Sequence, residues 1–391
     1  MISVNEAKKL VADNVQPLSP QKVSIALAAG HTLAKDVFAP CDIPAFAQSS
    51  MDGYALKFND KDNLLQLSGE MAAGTAHQIT IHTGETARIF TGAPLPEGAD
   101  TVVMQEKVTL VNKQIKIDDE KLSLGSNVRN RGAEAKSGQL AIEANSFLSP
   151  AAIGFLAGIG IAEVSVYPMP KVAIIVTGKE LQTPGNNLAF GQVYESNSYA
   201  LTAALKNEGI TEITILTADD DLAILKNVLE KALEANDVVL LTGGVSVGDY
   251  DFVLEASRLC SVKQIFHKVK QKPGKPLFFG IQGQKLVFGL PGNPASVLNC
   301  YYNYVIPALK LLSQKESNVK EIQAKLALDH EKPAGLTQFL KATFNDGWVT
   351  PLTAQESFRL SSFAKANCLI RLEEEEKEFK KGTFITTILI S

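Results

Sequence analysis

Apolar residues near the start of the chain recur at the spacing of an amphipathic helix. They predict a helix over residues 4–15, with an apolar face made of Ala7, Leu10, Val11 and Val15. A second short helix is predicted over residues 149–160, because Ser149 can cap it and Pro150 suits its first position. Between these helices, from about residue 37 to 146, short β-like runs broken by glycine indicate a mostly β module.

The segment from about residue 171 to 312 alternates between apolar runs and helical patterns. Strands are predicted at residues 171–176, 211–216, 237–241 and 285–290, and helices at 196–208, 221–235 and 294–312. Continuous apolar runs such as KVAIIV are typical of parallel strands that are buried on both faces. The alternation therefore predicts an α/β domain with a mainly parallel sheet.

Four short β-like runs follow residue 316 and predict a small β-barrel or sandwich. They are TQFLKATF (337–344), WVTPL (348–352), NCLIRL (367–372) and TFITTILI (383–390). Turn residues separate them at the usual strand spacing. A chain of 391 residues suggests about two to four domains, which agrees with these changes of pattern.

Charge and composition narrow the class of protein. The formal net charge is −4 and no run of Lys or Arg stands out, so we expect no sequence-independent grip on nucleic acid. No apolar run approaches the roughly 18 residues of a membrane span, and the first residues do not resemble a signal peptide. We therefore expect a cytoplasmic protein that binds neither nucleic acid nor membranes.

The cysteines and histidines indicate neither a zinc site nor a disulfide framework. The 4 cysteines and 5 histidines are scattered, and no Cys-x-x-Cys pair occurs. A metal ion would have to be held by carboxylates, which favours a hard cation such as Mg²⁺.

The ends of three predicted parallel strands carry glycine, hydroxyl and acidic residues. Ligands of open α/β sheets bind at this edge. The segments are VTGKELQTPG (176–185) with Glu180, TADDD (217–221) with Asp220, and LLTGGVSVGDYD (240–251) with Gly243, Gly244, Ser246, Asp249 and Asp251. At least one of the three adjacent aspartates is more simply read as a helix cap. Glycine turns accept phosphate groups, but the surplus carboxylates would repel a phosphate unless a divalent cation lies between the two. The sequence therefore predicts a Mg²⁺-dependent site for a phosphorylated ligand.

Two proline-stiffened turns and one acidic turn are further candidates. QKPGKPLFFG (271–280) presents Lys272 and Lys275, which could fix an anion although exposed lysines usually face solvent. GLPGNPASV (289–297) reads as a strand, a rigid turn and the start of a helix. SSMDGYAL (49–56) places Asp52 before a glycine; the turn could be only a loop, but a carboxylate on a stiff turn invites a functional role.

Seven motifs in order resemble the molybdopterin molybdenumtransferase (MoeA) family. They are SSMDGYA, SGEMAAG, IFTGAPLPEGADTVVMQE, TGKEL, LLTGGVSVGDYD, KPGKP and GLPGNPASV. The resemblance covers nearly the whole chain. It implies an elongated first domain (1–44 and 140–168), an inserted β-rich domain (45–139), a MogA-like α/β domain (169–314) and a C-terminal β-barrel-like domain (315–391).

The resemblance also implies a reaction and a set of site residues. The reaction takes adenylylated molybdopterin and molybdate to molybdenum cofactor and AMP with Mg²⁺, in a homodimer whose sites lie at the subunit junction. The adenylyltransferase and recipient molybdoenzymes are possible partners. Roles carried over by motif are catalysis for Asp52, Glu180, Asp220 and Asp251, metal binding for Glu180, Asp251 and Glu134, and substrate binding for Thr91, Gly243, Gly244, Ser246, Asp249, Lys272, Lys275, Pro291 and Pro294.

Several positions depart from the family pattern, and rival functions stay open. Glu134 replaces an acidic pair, Lys179 stands where an acid is common, Glu195 where Asp is common, and Lys341 where an arginine is frequent. The rivals are a molybdopterin adenylyltransferase, whose fold is similar to the α/β domain, a noncatalytic molybdopterin-binding scaffold, and a generic Mg²⁺-dependent phosphohydrolase.

Overall fold

The computed structural model describes residues 1–245 and 252–390, and the chain divides into two compact units. The first unit comprises Met1–Gln21, Gly30–Thr32 and Val166–Ser391, and the second comprises Lys22–Ala29 and Leu33–Ser165. Each unit has its own sheets and is described by itself.

A six-stranded mixed sheet forms the centre of the first unit. Its strands, in spatial order, are Ile213–Ala218, Val172–Thr177, Val238–Thr242, Lys285–Leu290, Phe278–Gln282 and Lys263–His267. The first four run parallel, and the last two are antiparallel to their neighbours. The α/β prediction with a mainly parallel sheet is confirmed, whereas the two antiparallel strands were not predicted.

Helices cover this sheet because their apolar faces match its buried strands. Leu222–Ala235 buries Leu225, Leu229, Ala232 and Leu233 at helical spacing. The helical segments of the unit are Val4–Asn14, Asn197–Asn207, Leu222–Ala235, Val253–Leu259, Pro294–Cys300, Ile306–Ser313 and Leu360–Phe363. The predicted helix over 294–312 contains a π-helical turn, Tyr301–Val305, between two α-helical parts.

A closed barrel of five strands forms the C-terminal part of the first unit. Around the barrel the strands are Thr337–Asn345, Trp348–Pro351, Lys320–Leu326, Phe384–Leu389 and Cys368–Leu372, which pairs again with the first. The barrel prediction is confirmed, but Lys320–Leu326 was missed. Only Ala324 and Leu326 of that strand are buried, so its apolar pattern is weak.

Short strand pairs complete the first unit. They are Leu181–Gln182 with Val193–Tyr194, Gln271–Lys272 with the barrel strand Thr337–Asn345, and His330–Glu331 with Glu378–Phe379.

The second unit is β-rich, as predicted. Its main sheet orders the strands Thr101–Met104, Gly53–Leu56, Glu85–Ile89, Leu65–Met71, Gln114–Ile117 and Val108–Val111. Two smaller pairs join Gln48–Ser49 to Val128–Arg129 and Val37–Phe38 to Leu140–Ile142. The helical segments are Ile25–Ala28, Phe58–Asp60, Gln105–Lys107 and Pro150–Gly158, and Ser149 accepts a hydrogen bond from Ala152 N as the predicted cap. The strands Gln21–Ser24, Thr32–Leu33 and Glu163–Tyr167 lie near the points where the chain passes between the units.

No helix among residues 1–245 and 252–390 is both long and apolar enough to cross a membrane.

Candidate functional site

Hydrogen bonds tie together the turns at the carboxyl edge of the parallel strands. Thr177 Oγ1 donates to the carbonyl of Thr242 at 3.0 Å, and Gly243 N donates to the carbonyl of Leu290 at 3.1 Å. Gly243 has φ +89°, and a Cβ atom on it would lie 2.9 Å from Thr177 Oγ1. Glycine is required there by both the backbone conformation and the close approach. The ends of the strands Val172–Thr177, Val238–Thr242 and Lys285–Leu290 are therefore connected into one edge of the sheet.

Gly243 and Gly244 lie in this edge, as the sequence predicted for a phosphate-accepting turn. Gly244 has φ +63° and a Cβ on it would meet Val253 Cγ2 at 3.2 Å. The buried hydroxyl Thr242 Oγ1 has no hydrogen-bond partner among residues 1–245 and 252–390. Ser246, Asp249 and Asp251 of the same motif lie outside the described residues.

Glu180 folds back over the first of the turns. Gly178 has φ +135°, and a Cβ atom on it would lie 2.8 Å from both carboxylate oxygens of Glu180. The carboxylate thus occupies the space that a side chain at Gly178 would fill. Glu180 is exposed, so its oxygens are available to a ligand or a cation.

The three consecutive aspartates divide their roles. Asp221 caps the helix Leu222–Ala235, accepting hydrogen bonds from Ala223 N at 2.9 Å and Ile224 N at 3.0 Å. The prediction that at least one of these aspartates is a cap is confirmed. Asp220 is half-buried and, within the part of the chain that the structure describes, accepts one long hydrogen bond, 3.4 Å, from Lys179 N. Its carboxylate therefore keeps most of its capacity to accept further bonds.

A cavity of about 800 Å³ opens between the α/β part and the barrel part of the first unit. Its walls come from four segments of the chain, residues 271–276, 291–296, 336–340 and 354–358. The residues used below are Lys272, Lys275, Pro291, Asn293, Ser357 and Phe358. Pro294 lies beside this wall, at the first position of the helix Pro294–Cys300.

Buried polar side chains form hydrogen bonds to the backbone of the loop that carries Lys272 and Lys275. Gln271 Nε2 donates to the carbonyl of Gly274 at 2.8 Å, and Asn299 Nδ2 donates to the carbonyl of Pro273 at 3.1 Å. Both lysines are exposed, and neither ammonium group forms a hydrogen bond or ion pair within the described part of the chain. Two unpaired positive charges on a fixed loop at a cavity wall form a suitable site for an oxyanion.

The opposite wall contacts the Pro-Gly-Asn-Pro turn through Ser357. Asn293 Nδ2 donates to Ser357 Oγ at 3.0 Å, and Ala295 N donates to the Ser357 carbonyl at 3.0 Å. The sequence analysis assigned no role to Ser357. The serine-rich stretch QESFRLSS was the available signal, but which of its serines reaches the turn depends on the tertiary structure.

Asn197 is a second residue that was not predicted. It begins the helix Asn197–Asn207 and donates from Nδ2 to the carbonyl of Gly292 at 2.9 Å, while its buried Oδ1 has no partner in the described residues. Nearby, the Glu195 carboxylate accepts hydrogen bonds from Ser198 N at 2.8 Å and Ser198 Oγ at 2.6 Å. These contacts fix the start of the helix beside the Pro-Gly-Asn-Pro turn.

Asp52 and Thr91 come together in the second unit. Thr91 donates to Asp52 Oδ1 from its N–H at 2.8 Å and from Oγ1 at 2.7 Å. These two hydrogen bonds, with a smaller contribution from the positive charge of Arg88, lower the pKa of Asp52 below its usual value. Asp52 is therefore an exposed, fixed carboxylate, which explains why its turn is built so rigidly.

Glu134 also belongs to the second unit and is exposed. Its backbone N–H donates to the carbonyl of Ile43 at 2.9 Å. Across the residues that the structure describes, no three His, Cys, Asp or Glu side chains are grouped closely enough to hold a metal ion by themselves. The predicted metal set of Glu180, Asp251 and Glu134 is not tested, since Asp251 lies outside the described residues.

These features define a class of protein. The first unit is an α/β protein whose sheet edge combines glycine turns, free carboxylates and a lysine-bearing loop, and the second unit supplies a separate β-rich module with its own fixed carboxylate. This is the arrangement of a multidomain α/β protein with a candidate anion-binding site.

Comparison with known proteins identifies the family. Three family models match: "MoeA N-terminal region (domain I and II)" over residues 2–160, "Probable molybdopterin binding domain" over 173–311, and "MoeA C-terminal region (domain IV)" over 323–390. Molybdopterin molybdenumtransferase of Haemophilus influenzae is 32% identical over 99% of this chain and 98% of its own length. Molybdopterin molybdenumtransferase 2 of Mycobacterium tuberculosis is 31% identical over 98% of both chains.

A solved structure agrees with the sequence comparison. The crystal structure of the molybdopterin biosynthesis MoeA protein from Pyrococcus horikoshii matches with a TM-score of 0.85 and 30% identity, over 100% of this chain and 99% of the other. This chain belongs to the molybdopterin molybdenumtransferase family, a family of transferases in molybdenum cofactor biosynthesis, and the family resemblance inferred from the motifs is confirmed.

Proposed function

We propose that this protein inserts molybdenum into adenylylated molybdopterin and releases AMP. The observation that carries the proposal is the cavity wall where Lys272 and Lys275 present two unpaired ammonium groups beside the connected edge of the sheet. Molybdate is a dianionic tetrahedral substrate, and a phosphate-bearing pterin is the second anion. Membership of a family named for this transfer supports the assignment.

Each part of the site has a distinct task in this proposal. Lys272 and Lys275 bind molybdate or phosphate oxygens, and Pro291 and Pro294 keep the facing turn in shape. The glycine turn at Gly243 and Gly244, with Ser246 and Asp249, receives the nucleotide part of the substrate. Backbone N–H groups of such a turn can approach phosphate oxygens because glycine has no side chain to obstruct them.

Magnesium is proposed as the divalent cation of the reaction. Glu180 offers an exposed carboxylate of the hard oxygen type that Mg²⁺ prefers, and Asp251 and Glu134 are the other proposed ligands. Since Mg²⁺ usually keeps several waters and binds substrate phosphates, these carboxylates would share the coordination of the ion with waters and phosphate oxygens. When bound, the cation would neutralise the negative charge of the reacting phosphate groups. Asp220 would steer the incoming anion by charge.

Asp52 is proposed to act at a site shared between two subunits of a homodimer. Its two hydrogen bonds from Thr91 keep it ionised and oriented. A fixed anion of this kind can orient the substrate or hold a proton donor in place. The cytoplasm is the proposed location, and the enzyme that makes adenylylated molybdopterin and the enzymes that receive the cofactor are proposed partners.

One reconstitution experiment tests the function. The purified protein is incubated with adenylylated molybdopterin, Mg²⁺ and molybdate, and AMP release is measured together with activation of an apo-molybdoenzyme. We expect both to depend on molybdate. AMP release without active cofactor would indicate hydrolysis instead, and tight pterin binding without turnover would indicate a scaffold. In a separate incubation with molybdopterin and ATP, consumption of ATP would indicate an adenylyltransferase.

The variant Asp251→Ala tests the assignment of site residues. It should abolish turnover while the protein keeps its thermal unfolding temperature. Retained turnover would remove Asp251 from the site. Glu234→Ala, which changes an exposed carboxylate at the end of the helix Leu222–Ala235, is a control that should leave turnover unchanged.

A further inference from the structure

A buried lysine in the barrel strand Thr337–Asn345 holds a loop of the cavity wall. Lys341 is 4% exposed, and its Nζ donates to three carbonyl oxygens: Ala354 at 2.8 Å, Arg359 at 3.1 Å and Glu356 at 3.2 Å. An ammonium group has three donors and no acceptor, so all of its hydrogen-bonding capacity is used within the protein. We call residues 354–359 the wall loop.

Other groups fix the same loop, which shows that its backbone shape is specified in detail. Gln355 accepts from Lys341 N at 2.9 Å and donates to the Lys341 carbonyl at 2.8 Å. Ser362 Oγ donates to the Ala354 carbonyl at 2.7 Å. Ala354 has φ +59°, a conformation that a residue with a side chain adopts only at a cost. The hydrogen bonds to its carbonyl oppose that cost.

The wall loop in turn forms one side of the cavity and contacts the other. Ala354, Gln355, Glu356, Ser357 and Phe358 line the cavity, whereas Lys341 does not. Ser357 receives the two hydrogen bonds from the Pro-Gly-Asn-Pro turn described above. Phe358 is 62% exposed at the cavity. The position of this wall relative to Lys272 and Lys275 therefore depends on the carbonyls that Lys341 binds.

Burying the ammonium group of Lys341 costs free energy unless each of its N–H donors has an acceptor. Burial lowers the pKa of Lys341 below the usual lysine value. A buried ammonium that loses its carbonyl partners would be strongly destabilised, and carbonyls that lose the ammonium would have to find water. The lysine and the wall loop are consequently stable only together.

We propose that Lys341 is a positioning residue for oxyanion binding: its ammonium group sets the wall loop at the distance from Lys272 and Lys275 that the anion requires, without touching the anion. This inference rests on the proposed function, which places molybdate in the cavity. The lysine acts through the backbone of the wall loop, and Ser357 transmits its position to the Pro-Gly-Asn-Pro turn.

The test compares two replacements of Lys341 with a matched control. Lys341→Met removes the three donors and keeps an apolar stem of similar length, and Lys341→Arg keeps the positive charge and several donors. The control is Lys285→Met, because Lys285 Nζ also donates to three carbonyls, those of Leu233, Glu234 and Asn236, next to the end of a helix and away from the cavity lining. Control and test therefore lose the same kind of hydrogen bonds.

Binding and turnover are measured separately for each variant. Molybdate alone is titrated by calorimetry, and the KM for molybdate and the kcat for AMP release are measured in the reconstituted reaction. We expect Lys341→Met to weaken molybdate binding and to raise the KM for molybdate about tenfold, while kcat changes by less than about twofold. Lys341→Arg should recover most of the lost affinity for molybdate. Lys285→Met should lower the unfolding temperature with no change in KM.

Two results would overturn the inference. One is that Lys341→Met, like Lys285→Met, lowers only the unfolding temperature, and the other is that Lys341→Arg binds molybdate no better than Lys341→Met. If Lys341→Met does not fold, Ser362→Ala removes one hydrogen bond to the same loop and should raise KM in the same direction, so an unchanged KM there also overturns it.

The failure of the proposed function gives a different pattern. If wild-type protein binds molybdate without releasing AMP, the reaction is wrong, while the binding titration still decides the role of Lys341. If Lys272→Ala and Lys275→Ala leave molybdate binding unchanged while Lys341→Met weakens it, the lysine ligands are wrong and the role of the wall loop stands. If none of the three affects binding, both proposals fall.

Discussion

Replacing Gly274 with alanine tests how tightly the loop of Lys272 and Lys275 is built. Gly274 has φ +87°, and a Cβ atom on it would lie 2.6 Å from Cys300 Sγ and 3.0 Å from Gln271 Nε2. A left-handed backbone costs an alanine about 1–2 kcal/mol, and forcing a methyl group into a close-packed site costs about 1–3 kcal/mol. Gly274→Ala should therefore reduce the free energy of unfolding of the first unit by about 2–5 kcal/mol.

A glycine with the same backbone requirement but open surroundings serves as the control. Gly283 has φ +60°, and a Cβ atom on it would meet nothing within 4 Å. Gly283→Ala should lose only the conformational part, about 1 kcal/mol. The difference between the two variants thus isolates the contact with Cys300 and Gln271.

Scanning calorimetry is the direct assay, with the KM for molybdate as a second measurement. A unit of this size loses roughly 2–4 °C in unfolding temperature per kcal/mol, so Gly274→Ala should lower the Tm by about 4–20 °C. Its KM for molybdate should rise, because Lys272 and Lys275 flank the displaced residue. Cys300→Ala combined with Gly274→Ala should lose less stability than the sum of the two single changes.

The reasoning would be refuted by a small effect. If Gly274→Ala and Gly283→Ala agree within about 0.5 kcal/mol, the close approach to Cys300 does not exist in solution. Strict additivity of the double variant would show that the thiol is not the obstructing group.

The other predictions concern charge and capping. Thr91→Val should raise the pKa of Asp52 part of the way toward the usual aspartate value of about 3.9, because it removes the hydroxyl hydrogen bond and keeps the one from the backbone N–H, and NMR of the side-chain carboxyl carbon would measure the change; an unchanged pKa would exclude the Thr91 hydroxyl as a cause. In wild type the folded-state pKa is the lower one, so the stabilisation is present above the unfolded pKa and is lost as the pH falls through the folded value. Asp221→Ala should lose about 1 kcal/mol in thermal unfolding, whereas Asp221→Asn should lose little. Lys272→Ala and Lys275→Ala should each raise the KM for molybdate, with a KM that depends less on ionic strength than in wild type; equal salt dependence would contradict a direct anion contact.

Much of the fold could be predicted because its determinants are local. The caps at Ser149 and Asp221 each depend on residues within one helical turn. The buried parallel strands were recognisable from their continuous apolar runs. The missed strand Lys320–Leu326 has no continuous apolar run. It is recognisable only from its pairing with the neighbouring strands of the barrel.

The candidate site was predictable only as a set of residue types at strand ends. The sequence placed glycines and acids at one edge, and the structure confirms that Gly243 lies against Thr177. The sequence could not show which of Asp220 and Asp221 is the helix cap, because that role depends on which carboxylate faces the first N–H groups of the helix. Whether Glu134 and Asp251 join the site stays a prediction.

The sequence by itself determined most of the elements, their alternation, the family and the chemistry available at each turn, since periodicity, capping residues and motifs act over a few neighbouring positions. Only the tertiary structure decided which lysine is buried and which face a cavity: Lys341 and Lys272 are the same residue type, yet one ammonium group binds three carbonyls while the other has no partner among the described residues. It also brought the wall loop to the Pro-Gly-Asn-Pro turn, some sixty residues away along the chain. The physical reason is that burial and long-range hydrogen bonds depend on strand pairing across the whole unit, which local sequence does not specify.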